Sequence, residues 1–219
     1  MFTELQRLVP AELGGRSGKV FYSGRGAFSR PSELYVLGLN PGGDPDANAS
    51  ETVASHTAEV LSSLPTDWSA YRDESWEGSP PGKWGMQPGV LHMFRQLSRE
   101  PGAVPCSNLV FPRSRSAAHL KRELSKLVEQ CWPFHVAAID LLRPKVIVCF
   151  GQDAGKILCQ RTAAYQLVGE FIESNQRGWS SRAYQSPAGF RVVVVTHPSR
   201  ADWRNPAADP TPLVAAALA

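Results

Sequence analysis

The sequence predicts an α/β fold: a central, mostly parallel four-stranded sheet between two layers of helices. Two observations predict it. Three short runs, at residues 34–39, 145–150 and 191–196, are almost continuously apolar and rich in β-branched residues. Such runs are typical of parallel strands that helices cover on both faces. Helical patterns alternate with these strands along the chain, as in other three-layer α/β/α proteins.

The other elements follow from local patterns. A fourth, weaker strand is predicted at 107–111, and alternating apolar residues at 169–189 indicate an antiparallel hairpin at an edge of the sheet. The spaced apolar residues of the first segment fit a short amphipathic helix, not a signal peptide. The predicted helices span residues 1–14, 51–64, 90–97, 117–142 with a break at Trp132 and Pro133, and 152–160.

One long segment interrupts the alternation. Residues 65–89 are rich in Pro, Gly and Asp and also contain Trp68, Tyr71, Trp76 and Trp84. These rings would be exposed in a flexible linker, so an ordered surface loop is predicted.

The composition sets the broad class. With 219 residues and 42% hydrophobic side chains, the chain is predicted to form one domain over residues 1–219. No apolar run reaches membrane-spanning length, so a cytoplasmic monomer is expected. The formal charge of +3 restricts any DNA-binding surface to a local patch. The four cysteines form no C-x-x-C pair, and we expect buried thiols with no metal site and no cofactor.

Polar, small or basic residues follow the predicted strands. The first strand is followed by Asn40-Pro41-Gly42, the second by Pro112-Arg113-Ser114, the third by Gly151-Gln152, and the last by His197-Pro198-Ser199-Arg200. The carboxyl ends of parallel strands meet at one edge of a sheet, where ligands bind. The sequence therefore predicts a pocket at this edge.

Four segments, taken in order, resemble the uracil-DNA glycosylase superfamily. G-L-N-P-G at 38–42 resembles the first motif of its mismatch-specific uracil and thymine DNA glycosylases, and T-H-P-S at 196–199 resembles the second motif of the superfamily. S-N-L-V-F-P-R at 107–113 is similar to the strand that carries a base-recognising Asn, and 133–151 to the helix and strand that follow it. The resemblance covers residues 34–200 and is greatest to the Asn-type branches, which include single-strand-selective enzymes.

The resemblance implies a role for each matching residue. Asn40 would position the attacking water, His197 would donate a hydrogen bond to a carbonyl oxygen of the leaving base, the backbone of Leu39 would contact the base, and Asn108 would read its edge. The residues that would contact DNA are Pro41, Gly42, Arg113, Ser114, Pro198, Ser199 and Arg200. For each residue a purely structural role, in a turn, a loop or a solvated surface, remains the alternative.

The sequence departs from the family pattern in two ways. The first motif lacks the catalytic Asp of the classical uracil enzymes, and an Asn cannot act as a strong general base. No aromatic ring follows the motif within residues 44–54. A ring that stacks on the base would therefore have to come from the long segment, from Tyr71, Trp76 or Trp84.

The sequence leads to the hypothesis of a monofunctional DNA glycosylase of base excision repair. It would flip uracil or a related deaminated base out of DNA and hydrolyse the N-glycosidic bond. One alternative is a catalytically weak or inactive nucleic-acid- or base-binding module of the same fold. A second is a nucleoside or nucleotide hydrolase with a flavodoxin-like sheet, although the chain has neither a G-x-G-x-x-G motif nor a P-loop.

Overall fold

The computed structural model describes residues 2–219 and has a six-stranded central sheet in the order β2-β1-β3-β6-β5-β4. The strands are β1 (Leu34–Gly38), β2 (Cys106–Asn108), β3 (Val146–Phe150), β4 (Gln166–Ile172), β5 (Ser180–Gln185) and β6 (Arg191–Val195). The helices are α1 (Phe2–Arg7), α2 (Val53–Ser62), α3 (Ala70–Asp73), α4 (Gln87–Gln96), α5 (Ala117–Leu142), α6 (Gln152–Thr162) and α7 (Thr211–Leu218).

The predicted fold class is confirmed, but the predicted number of four strands is wrong. Strands β2, β1, β3 and β6 are parallel neighbours, as expected. The hairpin expected at 169–189 is also present, as β4 and β5. Strand β5 pairs antiparallel with β6, for example Ala183 with Val193, so the hairpin extends the sheet to six strands.

Helices cover both faces of the sheet. Val194 of β6 faces α6, where a Cβ on Gly155 would lie only 2.3 Å from the Val194 Cγ1 atom. Its neighbour Val193 points to the opposite face, because side chains alternate along a strand. Gly169 of β4 lies in the same row as Val193, and a Cβ there would meet a leucine of α7 at 3.0 Å. Only glycine at position 155 lets α6 pack this closely.

The break predicted at Trp132 and Pro133 is absent, and α5 runs without interruption over 26 residues. Proline removes one backbone hydrogen bond and costs a helix interior about 3 kcal/mol. The side chains of Cys131 and Phe134, which flank Trp132 and Pro133, are fully buried. Burial of this face therefore outweighs the local cost of Pro133.

Local interactions set two other helix ends. Thr52 and Ser55 form a capping box at the start of α2, which therefore begins two residues later than predicted. Helix α4 begins at Gln87 with Pro88 in its first turn, where proline is tolerated. At the amino terminus the predicted helix is shorter and ends at Arg7, and Met1 lies outside the described residues.

The tryptophan-rich segment is ordered, as predicted. It contains α3, and Trp68 and Tyr71 are buried in the core. Trp76 is half-buried, and Trp84 remains 48% exposed. The segment therefore packs three of its four rings against the domain.

Residues 17–23 cover the outer edge of the sheet beside β2. The backbone N–H of Tyr22 donates to the carbonyl of Cys106 at 2.8 Å, and that of Lys19 donates to Phe111 at 3.0 Å. These bonds protect an edge strand from pairing with another chain. The bond to Phe111 also carries Lys19 to the carboxyl end of β2, where the polar strand ends lie.

The four cysteines are buried and unbridged, as the sequence predicts. In residues 2–219, none of the helices combines the length and the apolar composition that crossing a bilayer requires.

Candidate active site at the carboxyl edge of the sheet

Asn40 and His197 follow strands that end at the same level. Leu37 of β1 and Val194 of β6 both pair with Cys149 of β3, and each candidate residue lies three positions further along its chain. Neighbouring strands are about 4.8 Å apart, so the two strand ends lie about 10 Å from each other across β3. The register thus places the two loops at the same edge of the sheet, on either side of β3.

The side chain of Asn40 is held by its amide nitrogen. Nδ2 donates to the carbonyl of Pro41 at 3.0 Å and to Oγ of Ser114 at 3.2 Å. Oδ1 receives no hydrogen bond from any residue between 2 and 219. The fixed side chain therefore has an unused acceptor. Ser114, predicted to contact DNA, is the residue that orients this amide.

Arg113 fixes the loop that follows Asn40. Its Nε donates to the carbonyl of Gly42 at 2.6 Å, and its terminal nitrogens bind Oγ of Ser17, at 3.1 Å, and the Glu51 carboxylate. The side chain of Arg113 is almost fully buried. These contacts show Arg113 bracing the loop, and its predicted contact with DNA stays a prediction.

A buried group of charges lies beside this loop, and we call Lys19, Glu51, Glu74 and Arg113 the charge cluster. Lys19 is 4% exposed; its Nζ lies 2.9 Å from the Glu51 carboxylate and also pairs with Glu74. Burial opposes the charge of Lys19, but the carboxylates of Glu74 and Glu51 outweigh it and raise the pKa of the ammonium. This cluster was not predicted from the sequence, where its one visible signal is a lysine beside the apolar run V-F-Y.

Asn108 ends β2 beside Gly38 of β1. A Cβ at position 38 would lie 2.1 Å from Oδ1 of Asn108, so only glycine leaves room for this amide. Asn108 is 5% exposed, and its Nδ2 is buried without a hydrogen-bond partner in the part of the chain that the structure describes. A buried donor left unpaired is costly, and such a group at a strand end suits a ligand.

Aromatic rings connect the tryptophan-rich segment to this edge. Tyr71 is buried, with its ring centroid 5.8 Å from Tyr22, 5.9 Å from Trp76 and 6.3 Å from Phe150. Phe150, at the end of β3, also contacts the ring of His197 edge-on at 6.5 Å. The segment therefore reaches the candidate site, as the stacking hypothesis requires. Which ring stacks on a base stays a prediction: of the three proposed, Tyr71 is buried, Trp76 is half-buried and Trp84 is exposed.

His197 is half-buried, and its hydrogen bonds define its tautomer. The backbone N–H of Ser199 points to Nδ1 at 3.2 Å, and the Ser199 hydroxyl lies 2.8 Å from the same nitrogen. A backbone N–H can only donate, so Nδ1 is an acceptor and the proton of the neutral ring is on Nε2. Burial, and secondly the charge of Arg200, lower the pKa of His197. At neutral pH the ring is therefore an uncharged donor, and Nε2 has no partner within residues 2–219.

The remaining predicted residues differ in accessibility. Pro41 and Pro198 are buried, Leu39 is half-buried, and its carbonyl accepts a hydrogen bond from Val110. Gly42, Ser199 and Arg200 are exposed. The guanidinium of Arg200 forms no ion pair with the residues described here. The exposed guanidinium is thus available to a ligand, whereas the two prolines are buried in the protein.

Two clefts flank the site. One, of about 360 Å³, lies beside Ser114 and is lined also by Arg16, Arg115 and Asp46. The other, of about 480 Å³, lies beside His197 and is lined also by Trp179, Arg182 and Arg200. The sequence predicts an edge hairpin around residue 179 but no role for it, because nothing local to the hairpin shows that its tip reaches the His197 loop.

The sheet thus brings polar side chains from the ends of three strands to one edge. No curated protein sequence matches the chain. The family model described as "Uracil DNA glycosylase superfamily" matches residues 26–217, which include Asn40, Asn108 and His197. The chain therefore belongs to the uracil DNA glycosylase superfamily.

Proposed function

We propose that the protein is a monofunctional DNA glycosylase that removes uracil or a related deaminated base in base excision repair. One observation carries the proposal: three hydrogen-bonding atoms that make no hydrogen bond within residues 2–219 lie at the same edge of the sheet. They are Oδ1 of Asn40, Nδ2 of Asn108 and Nε2–H of His197. Membership of the superfamily supports DNA as the substrate.

His197 stabilises the leaving base. When the C1′–N bond breaks, its electron pair leaves with the base, and negative charge develops on the base carbonyl oxygens. A neutral imidazole that donates from Nε2 binds such an oxygen more strongly as the charge develops, and it keeps its own proton. Ser199 maintains this tautomer through its bond to Nδ1.

Asn40 positions the water. Its Oδ1 accepts a hydrogen bond from the water whose oxygen adds to C1′, and the water's proton passes to solvent. Because an amide does not take up this proton at neutral pH, Asn40 orients the water without acting as a base. This role is the one expected of an Asn-type branch of the superfamily.

Asn108 recognises the base. Its unpaired Nδ2 donates to a carbonyl oxygen at the edge of the flipped base, which satisfies the buried donor. Gly38 makes room for this amide. The exposed Ser199 and Arg200 then bind phosphates of the target strand, and the strand enters from the side of the His197 loop.

The test measures base excision directly. Purified protein is incubated with single- and double-stranded oligonucleotides that contain uracil, hypoxanthine or xanthine, and alkali then cleaves abasic sites. Strand breaks are expected with at least one lesion. Asn40→Ala and His197→Ala should each reduce the rate about 100-fold or more, the usual effect of losing a group that acts in the transition state.

Gly38→Ala gives a second arm of the same test. The new methyl group displaces the Asn108 amide, so excision should fall about 10-fold, while Gly15→Ala, where a Cβ meets open space, should leave the rate unchanged. If none of the lesions gives strand breaks, although the protein still binds DNA, the proposal is contradicted. That result would favour the inactive binding module.

A further inference from the structure

The cleft beside His197 extends from the His197 loop to the tip of the β4–β5 hairpin. Its volume of about 480 Å³ lies within the range of small-ligand sites and accommodates one nucleotide. The hairpin tip contributes Trp179, β5 contributes Arg182, and the loop after β6 contributes Arg200. None of the residues that line the cleft is acidic.

Trp179 forms a prearranged aromatic platform. The guanidinium of Arg177 stacks on its ring, with Cζ 4.6 Å from the ring centroid, while 41% of the residue stays exposed. Arg177 is itself held by the buried carboxylate of Glu173, at 2.8 Å. The backbone N–H of Glu173 in turn donates to the carbonyl of Trp179 at 2.8 Å. A ring that is fixed before binding loses little entropy when a ligand stacks on it.

Arg177 also connects the hairpin to the loop of His197. Its Nη1 donates to the backbone carbonyl of Arg200, so the two walls of the cleft are tied together. The cleft wall includes Thr196, whose Oγ1 is buried and has no hydrogen-bond partner among residues 2–219. An unsatisfied hydroxyl in a cleft wall indicates a polar ligand.

The charges of the cleft select an anionic ligand. The guanidinium of Arg200 has no carboxylate partner among the residues described. That of Arg182 forms an ion pair with one carboxylate, the exposed Glu170, at 2.7 Å. An aromatic platform beside two arginines matches the two parts of a nucleotide, because bases stack on rings and phosphates pair with guanidinium groups.

We propose that this cleft binds an unpaired nucleotide next to the flipped base in the target DNA strand. The nucleobase stacks on Trp179, and Arg200 and Arg182 hold its phosphate. The proposal rests on the proposed function for the identity of the strand. Bases in an intact duplex stay stacked on their neighbours, so the cleft favours single-stranded DNA over duplex.

Binding of lesion-free DNA tests the proposal without any need for catalysis. The affinity of a fluorescein-labelled 12-nucleotide single strand is measured by anisotropy for the wild type, Trp179→Ala and Trp179→Phe. Trp179→Ala should weaken binding about 5- to 100-fold, the usual effect of losing one base–aromatic stack, and Trp179→Phe should restore most of it. Affinity for the corresponding duplex should change little.

Tyr165→Ala is the matched control. Tyr165 is an exposed aromatic residue that immediately precedes β4, at the opposite end of the same hairpin. The Tyr165→Ala protein should therefore bind DNA as the wild type does. Circular dichroism and thermal unfolding confirm that each variant is folded. Equal affinity of wild type and Trp179→Ala would overturn the proposal, as would equal losses with Trp179→Ala and Tyr165→Ala. Competition by free dTMP as strong as that by the single strand would also overturn it, because a nucleotide of a strand would not be the ligand.

The excision assay separates this inference from the proposed function. Excision of uracil by a protein whose DNA affinity does not depend on Trp179 would refute the cleft and leave the glycosylase intact. Binding that depends on Trp179, in a protein that excises no lesion, would refute the glycosylase and leave the nucleotide-binding cleft.

Discussion

The two loops that face each other across β3 are stabilised in different ways. The Asn40 loop rests on the charge cluster, where Arg113 binds both the Gly42 carbonyl and Glu51. The His197 loop has an exposed surface, and its ties to the hairpin include the bond from Arg177 to the Arg200 carbonyl. One side is thus a rigid support, and the other presents unused donors to a ligand.

This difference suits the two tasks proposed for the site. A water that must attack one carbon atom needs a fixed acceptor, and small errors in position reduce the rate strongly. A DNA strand must enter and leave, so groups on its side have to stay accessible. Buried charges are costly unless every partner is present, and the Asn40 side should therefore respond more to mutation.

Arg113→Met gives the largest expected effect. It leaves Glu51 with one cationic partner and removes the brace on Gly42, which should reduce the free energy of unfolding by about 3 kcal/mol. Urea denaturation measures this loss. The comparison variant is Arg182→Met on the hairpin, whose solvent-exposed pair with Glu170 should contribute little to stability. Equal losses in the two variants would show that the Asn40 side is not the more strongly braced one.

His56 makes the same side sensitive to acid. It is buried, neither ring nitrogen has a partner among residues 2–219, and burial, followed by the charge of Lys19, lowers its pKa from 6.5 to about 3. Below pH 6.5 the imidazole of His56 is therefore protonated in the unfolded chain but stays neutral in the folded protein. The stability that this group contributes is complete above pH 6.5, falls as the pH decreases, and is lower by about 2 kcal/mol at pH 5.

His56→Leu isolates that contribution. The difference in unfolding free energy between variant and wild type should shift by about 2 kcal/mol in favour of the variant between pH 7 and pH 5. His135, whose pKa burial lowers to about 4, is present in both proteins and cancels. A pH-independent difference would mean that His56 is protonated as readily in the folded protein as in the unfolded chain.

Local patterns were sufficient to predict most of the fold. The apolar runs of β1, β3 and β6 are visible in the sequence because both faces of these strands are buried. Pro133 led to a wrong break because burial of α5 overrode local propensity. The predicted number of strands was wrong because β5 pairs with β6, and the sequence pattern of neither strand contains this contact between them.

The candidate site divides in the same way. Asn40, Asn108 and His197 could be named as candidates because they lie at strand ends and match motifs, and their roles stay predictions. The charge cluster could not, because Lys19, Glu51 and Glu74 lie far apart in the sequence and only folding makes them partners. Trp179 was missed for the same reason: its importance comes from Arg177 and from the nearby His197 loop.

The smallest expected effect concerns the electrostatics of the exposed side. Burial is the main cause of the lowered pKa of His197, and the charge of Arg200 adds to it. Arg200→Ala should therefore raise the pKa of His197 only slightly, which NMR titration of the imidazole measures. Arg204→Ala, which removes an exposed arginine already paired with Asp202, is the control.

Protonation ends the ability of Nδ1 to accept from Ser199, so excision should decline as the pH falls below the pKa of His197. That decline should begin at a slightly higher pH in Arg200→Ala, whereas an unchanged titration would mean that solvent screens Arg200 completely and that the loop is more open than its half-buried histidine indicates.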